Sequence, residues 1–167
     1  PPGRPAGDDE SRHRCRCQRR SDRATPVVAA MSPRRVVIVG GVAGGMSTAT
    51  RLRRLDADAE IIVLERSGHV SFANCGLPYY VGGVIEDEDD LTLQTPESLH
   101  ARFRLDVRVS TEVVAIDPAA RAVTVRPAGS TGGEDEQVLP YDALVLSVGA
   151  APVRPPIPGY ERVRSLR

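Results

Sequence analysis

Val36-Val37-Ile38-Val39-Gly40-Gly41-Val42-Ala43-Gly44-Gly45 is an apolar run that ends in a cluster of glycines. Four apolar residues without a polar break suit a strand buried on both faces, as in a parallel sheet. Gly44 to Leu55 reads as a helix, and the spacing of Thr48, Leu52 and Leu55 predicts that these three share its packed face. Ile61-Ile62-Val63-Leu64 is a second buried strand, ended by Glu65. Strand, glycine turn, helix and strand in this order form a βαβ unit and place the chain in the α/β class.

The turn has the makings of a nucleotide site. A dinucleotide fingerprint asks for G-x-G-x-x-G between strand and helix. Gly40 and Gly45 fill its first and third positions. Val42 takes the second, where glycine ordinarily lets the backbone approach a pyrophosphate. A strict pattern would miss this turn, but its context supports it. Glu65 follows Gly40 by 25 residues and ends the next strand, placed to accept hydrogen bonds from a ribose. A pyrophosphate would sit at the helix N-terminus, where free N–H groups and the helix dipole favour anions. The candidate cofactor contacts are therefore Gly40, Gly41, Val42, Ala43, Gly44, Gly45 and Glu65, in a Rossmann-like unit. NAD and FAD use the same turn, so the turn alone does not choose between them.

Further along, Cys75 to Val81 reads as a short helix with Pro78 in its first turn. The acidic run Glu86 to Asp90 reads as a solvated loop. Thr95 is a predicted N-cap with Pro96 at the first helical position, and the helix continues from Ser98 to Phe103. Asp106 to Val109 is a strand. Glu112 to Asp117, Ala122 to Arg126 and Gln137 to Leu139 alternate and are joined by short turns, which predicts an antiparallel three-stranded meander inserted into the α/β unit. Tyr141 to Leu146 reads as a further buried strand. Residues 33–150 are expected to form the N-terminal part of an incomplete cofactor domain. Residues 151–167, with Pro152, Pro155, Pro156 and Pro158, are expected to form a linker. Residues 1–32 are rich in Pro, Gly and Arg without hydrophobic periodicity and are expected to be a disordered extension, with Met31 marking an alternative start.

Composition excludes several classes. The 22 basic and 22 acidic residues balance, so net charge does not point to nucleic acid. No apolar run approaches the roughly 20 residues of a membrane span. Cys15, Cys17 and Cys75 do not form a disulfide framework, and His13 beside the first two makes a poor metal set. A reducing, cytoplasmic setting with Cys75 as a thiol is the expectation.

The segment around that thiol is Ser71-Phe72-Ala73-Asn74-Cys75-Gly76-Leu77-Pro78-Tyr79-Tyr80-Val81-Gly82-Gly83. A free thiol has a pKa near 8.5, and a helix N-terminus favours the reactive thiolate. Gly76 is expected to leave room for a ligand or flavin ring to approach. Cys75 has no second cysteine four or five residues away. It must therefore cycle through a mixed disulfide with a small thiol or through a sulfenic acid.

This segment, with Val36 to Arg54, resembles the coenzyme A disulfide reductases, a single-cysteine branch of the FAD-dependent pyridine nucleotide-disulfide oxidoreductases. The resemblance implies FAD as cofactor and NADPH or NADH as co-substrate. It implies coenzyme A disulfide or persulfide as substrate and a homodimer for the full-length enzyme. By the same resemblance Arg66, Val113 or Val114 near the adenine, and Ser147 and Gly149 in the returning turn, join the cofactor contacts. Ser47, Arg51, Arg54, Ser71 and Asn74 are implied to hold coenzyme A. Geometry agrees in part, since Ser47, Arg51 and Arg54 lie at i, i+4 and i+7 on one helix face. Two guanidiniums there could clamp phosphates. The alternatives are an NADH oxidase or peroxidase using a cysteine sulfenic acid, and an inactive flavin-binding fragment. The 167 residues alone are expected to have no NAD(P)H-dependent turnover.

Overall fold

The computed structural model of the chain describes residues 33–131 and 133–162. The proposed extension, residues 1–32 with His13, Cys15 and Cys17, lies outside these residues. Strand β1 (Arg35–Val39) leads through the glycine turn into α1 (Ala43–Leu55), and β2 (Glu60–Leu64) follows. After the thiol segment with α2 (Leu77–Val81) come α3 (Pro96–Phe103) and β3 (Asp106–Arg108). β4 (Thr111–Asp117), β5 (Ala122–Pro127) and β6 (Gln137–Pro140) form the meander, and β7 (Ala143–Leu146) returns to the first sheet. That sheet is parallel with order β3-β2-β1-β7. The second is antiparallel with order β4-β5-β6. The predicted α/β unit with an inserted meander is thus the observed fold.

Alternation along β1 and β2 explains why both strands read as unbroken apolar runs. Val36, Ile38, Ile61 and Val63 pack with Met46 and Ala49 of α1, Leu99 of α3 and Leu105. Val37, Ile62 and Leu64 point the other way and pack on Val123 and Val125 of the meander. The parallel sheet is covered by helices on one face and by the insert on the other, so each central strand residue is buried wherever it points.

The packed face of α1 agrees with the expectation at Leu52, which packs against the core, and differs elsewhere. Gly45, Met46 and Ala49 are its buried residues, and Leu55 is 67% exposed. Small residues bring the helix backbone close to the sheet, and a search for large apolar side chains misses that face. Arg53 fastens the far end of α1. Its guanidinium donates to the carbonyl oxygens of Phe103 (2.8 Å), Ala57 (2.8 Å) and Arg104 (3.0 Å). Burial lowers the pKa of Arg53 from its ordinary value, and the neighbouring charge of Arg104 adds to this.

Two further readings are corrected. β7 is half-buried rather than buried: among the described residues it pairs with β1 alone, at the sheet edge, and leaves Leu146 58% exposed. The acidic run is exposed as expected, but it contains a 3-10 turn, Glu88–Leu91, whose N-cap Asp87 accepts from the Asp89 N–H. The start of α3 is as predicted: Thr95 and Ser98 form a reciprocal capping box, with Pro96 in the first turn.

Candidate functional site

An open cleft of about 590 Å³ lies where β1, β2, β4 and the turn after β7 meet. Its size falls within the range of small-molecule and cofactor sites. Gly40 opens it with φ of +102°, and a side chain there would strike the Ser147 carbonyl. The Gly40 N–H donates to Leu64 O, and the Ser147 N–H donates to Val39 O. The floor is therefore backbone laid against backbone. α1 starts here with no side-chain cap and no acidic residue in its first turn. Its leading N–H groups, which have no partner within the helix, are free for an anion.

Glu65 ties this floor together. One carboxylate oxygen accepts from the Gly41 N–H (2.7 Å) and the other from the Ser67 N–H (2.8 Å). A carboxylate offers about four acceptor positions, so Glu65 can hold the glycine turn and still accept from a hydroxyl group in the cleft.

Of the predicted cofactor contacts, Gly40, Val42, Ala43, Gly44, Glu65, Arg66, Val113, Ser147 and Gly149 line the cleft. Gly41 acts through its N–H to Glu65, behind the lining. Gly45 is buried, and a side chain on it would collide with the Gly40 carbonyl, so it sets the helix-to-strand approach. Val114 is not in the lining. The β4–β5 register shifts between Val113 and Ala115, leaving Val114 as the extra residue of a bulge while Val113 pairs with Val125. Thr111 and Glu112 line the cleft without having been singled out in the sequence. The signal for Glu112 is ionic: it pairs with Arg66 (3.8 Å) and Arg126 (3.6 Å).

Asn74 lines the same cleft, which brings the thiol segment to its edge. The continuous helix expected over Cys75 to Val81 is instead a 3-10 turn, Asn74–Gly76, followed by α2. Pro78 is the cause. An α-helix through Cys75 would need residue 78 to donate to the Asn74 carbonyl, and proline has no N–H. The Leu77 N–H takes that carbonyl instead, which closes the tighter turn. Cys75 is exposed in the middle of it.

Gly76 also departs from expectation. Its missing side chain faces protein: a Cβ there would lie 2.5 Å from Leu91 Cδ2 and 3.5 Å from Ile85 Cδ1. Ser71 adopts the left-handed region at φ of 56°, which is uncommon for a residue with a side chain. Its N–H donates to Gly41 O (2.8 Å) and its carbonyl accepts from the Leu93 N–H (3.2 Å). Ser47, Arg51 and Arg54 are exposed on α1. Neither arginine forms an ion pair among the described residues.

Residues 34–167 match the sequence profile of the pyridine nucleotide-disulphide oxidoreductase family. The chain belongs to that family. Pyridine nucleotide-disulphide oxidoreductases work with FAD and NAD(P)H, and the cleft with its uncapped helix start and glycine floor fits the FAD of that pair. A coenzyme A disulfide reductase of Staphylococcus epidermidis is 41% identical over 117 residues, which are 70% of this chain and 26% of that protein. The crystal structure of reduced CoADR-RHD from Bacillus anthracis is 47% identical, with a TM-score of 0.72 over 80% of this chain and 24% of that one. An NAD-dependent persulfide reductase from A. fulgidus is 38% identical, with a TM-score of 0.68 over 74% of this chain and 22% of that one. The chain thus spans about a quarter of the length of the relatives it matches. Among the described residues no helix is long and apolar enough to cross a membrane.

Proposed function

We propose that the protein containing this chain reduces coenzyme A disulfide, or the corresponding persulfide, with Cys75 as its single redox thiol. The observation that carries this reading is placement. Cys75 is exposed in a 3-10 turn, directly after a residue that lines the cofactor cleft. The similarity to a coenzyme A disulfide reductase and to a persulfide reductase supports the choice of substrate.

FAD bound in the cleft and reduced by NAD(P)H supplies an electron pair. The Cys75 thiolate attacks one sulfur of the disulfide, forms a Cys75–S–S–CoA bond and releases one coenzyme A thiolate. That mixed disulfide takes up two electrons and a proton, returning the Cys75 thiolate and a second coenzyme A thiol. Ser47, Arg51 and Arg54 bind the nucleotide end of the substrate, with the guanidiniums on its phosphates. Ser71 and Asn74 orient the sulfur. Gly40, Val42, Ala43 and Gly44 hold the pyrophosphate of FAD, and Gly41 and Gly45 shape their turn. Glu65 takes the ribose, and Arg66, Val113 and Val114 lie at the adenosine end, with Val114 acting from the bulge behind the lining. Ser147 and Gly149 flank the flavin side. The active form is a homodimer.

The test uses the complete protein. It is denatured without reductant, then reduced, and the released thiols are identified by mass spectrometry. Stoichiometric coenzyme A that disappears in Cys75→Ser is the expected result. Flavin without released coenzyme A, with a sulfenic acid on Cys75, would overturn the reading in favour of an oxidase or peroxidase.

A further inference from the structure

We propose that Leu91 is a positioning residue for the thiol and that Gly76 and Leu91 form a size-matched pair setting the height of the Cys75 turn. The proposal rests on the reading of Cys75 as the redox thiol.

Three observations carry it. Leu91 is 1% exposed, although it closes an acidic, exposed 3-10 turn. It is the one residue of that turn that points inward, and it points at Gly76. A Cβ on Gly76 would lie 2.5 Å from Leu91 Cδ2, a separation that real side chains do not tolerate. The φ of Gly76 is −80°, which any residue adopts, so space rather than backbone conformation demands glycine here.

The backbone is held in register with this contact. The Ala73 N–H donates to Leu91 O (2.8 Å), Phe72 pairs with Thr92 in an antiparallel bridge, and the Leu93 N–H donates to Ser71 O. Residues 91–93 therefore run as a strap along 71–73. The Gly76 N–H closes the thiol turn on Ala73 O (2.8 Å), the residue the strap grips. A change in volume at either member of the pair must lift or drop Cys75 relative to Asn74 and the cleft. A displacement of about 1 Å in a reacting group can cost about 100-fold in rate.

The obstructing atom is the end of a flexible side chain, so the pair can be re-matched. The experiment compares Gly76→Ala, Leu91→Ala and the double variant in the complete, flavin-loaded protein. Three quantities are read: turnover with coenzyme A disulfide, the rate of Cys75 alkylation by iodoacetamide, and thermal stability. Gly76→Ala is expected to lower turnover about tenfold or more and to shift the alkylation rate. The double variant is expected to return both to within about threefold of the parent, a non-additive result that independent sites do not give. If Gly76→Ala does not accumulate as folded protein, the folded double variant carries the test by the same criterion.

Variants that alter only stability, or a double variant as impaired as the worse single one, would overturn the proposal. Alkylation separates this outcome from failure of the redox reading. If Cys75→Ser retains turnover the redox role is wrong, yet the alkylation rates still decide whether the pair positions the thiol.

Discussion

At Gly45 the space denied to a side chain is occupied by the carbonyl oxygen of Gly40, and at Gly76 it is occupied by a methyl of Leu91. The first obstacle is backbone, fixed by a buried strand and by a helix packed on it. The second is the tip of a side chain on a surface strap. The glycine turn and the thiol turn lie beside one cleft and both depend on missing side chains. The former has no route to compensation, and the latter has one. A cofactor cradle built from main chain tolerates little change, while a thiol support built from side-chain packing can be retuned by paired substitutions.

The largest expected effect tests the rigid side. Gly45→Ala should cost about 3 kcal/mol, because neither carbonyl nor helix can give way without breaking the sheet contact. Urea unfolding with flavin content as a second readout would check it. A cost below about 1 kcal/mol would erase the contrast with Gly76. Next comes Glu65→Gln, which removes charge from two hydrogen bonds to backbone N–H groups at 2.7 and 2.8 Å. A loss of about 2 kcal/mol in stability and about tenfold in flavin affinity is expected, measured by melting and by flavin titration.

On the thiol side the strap runs into the capping box of α3. Thr95→Ala should cost about 1 kcal/mol in a denaturant melt and leave flavin affinity unchanged. The smallest effect belongs to Glu97 in the same turn. A hydrogen bond from its own backbone N–H, followed by one from Thr95, holds its carboxyl below the usual carboxylate range. A depressed folded-state pKa gives a contribution present at neutral pH and lost as the pH falls through that range. The melting temperatures of the protein and of Glu97→Gln should therefore differ slightly at neutral pH and converge in acid.

Legibility in the sequence followed chemical type. β1 and β2 were readable because burial on both faces leaves no polar residue to interrupt the run. The Thr95 cap and the meander were readable because their turn and cap residues have local causes. The packed face of α1 was legible only at Leu52, because Gly45 and Ala49 bury without hydrophobic bulk, and Leu55 is apolar yet exposed. The edge position of β7 depends on which strands lie beside it, and an apolar run does not encode that. The bulge that sets Val114 apart from Val113 appears only in the pairing with β5. Within the site, the residues of the glycine turn were legible as a motif. The partner of Gly76 was not, because a sequence does not reveal what a missing side chain faces.

Arg53 has a consequence for local opening. Its guanidinium binds carbonyl oxygens on both sides of a gap in sequence, at Ala57 after α1 and at Phe103 and Arg104 where α3 ends. Fraying is ordinarily a private affair of each helix terminus. Here loosening either C-terminal turn strips Arg53 of acceptors on that side, so the two ends are expected to open together in a hydrogen-exchange measurement. Lysine, with its compact charge and three donors, could not span the same set of acceptors.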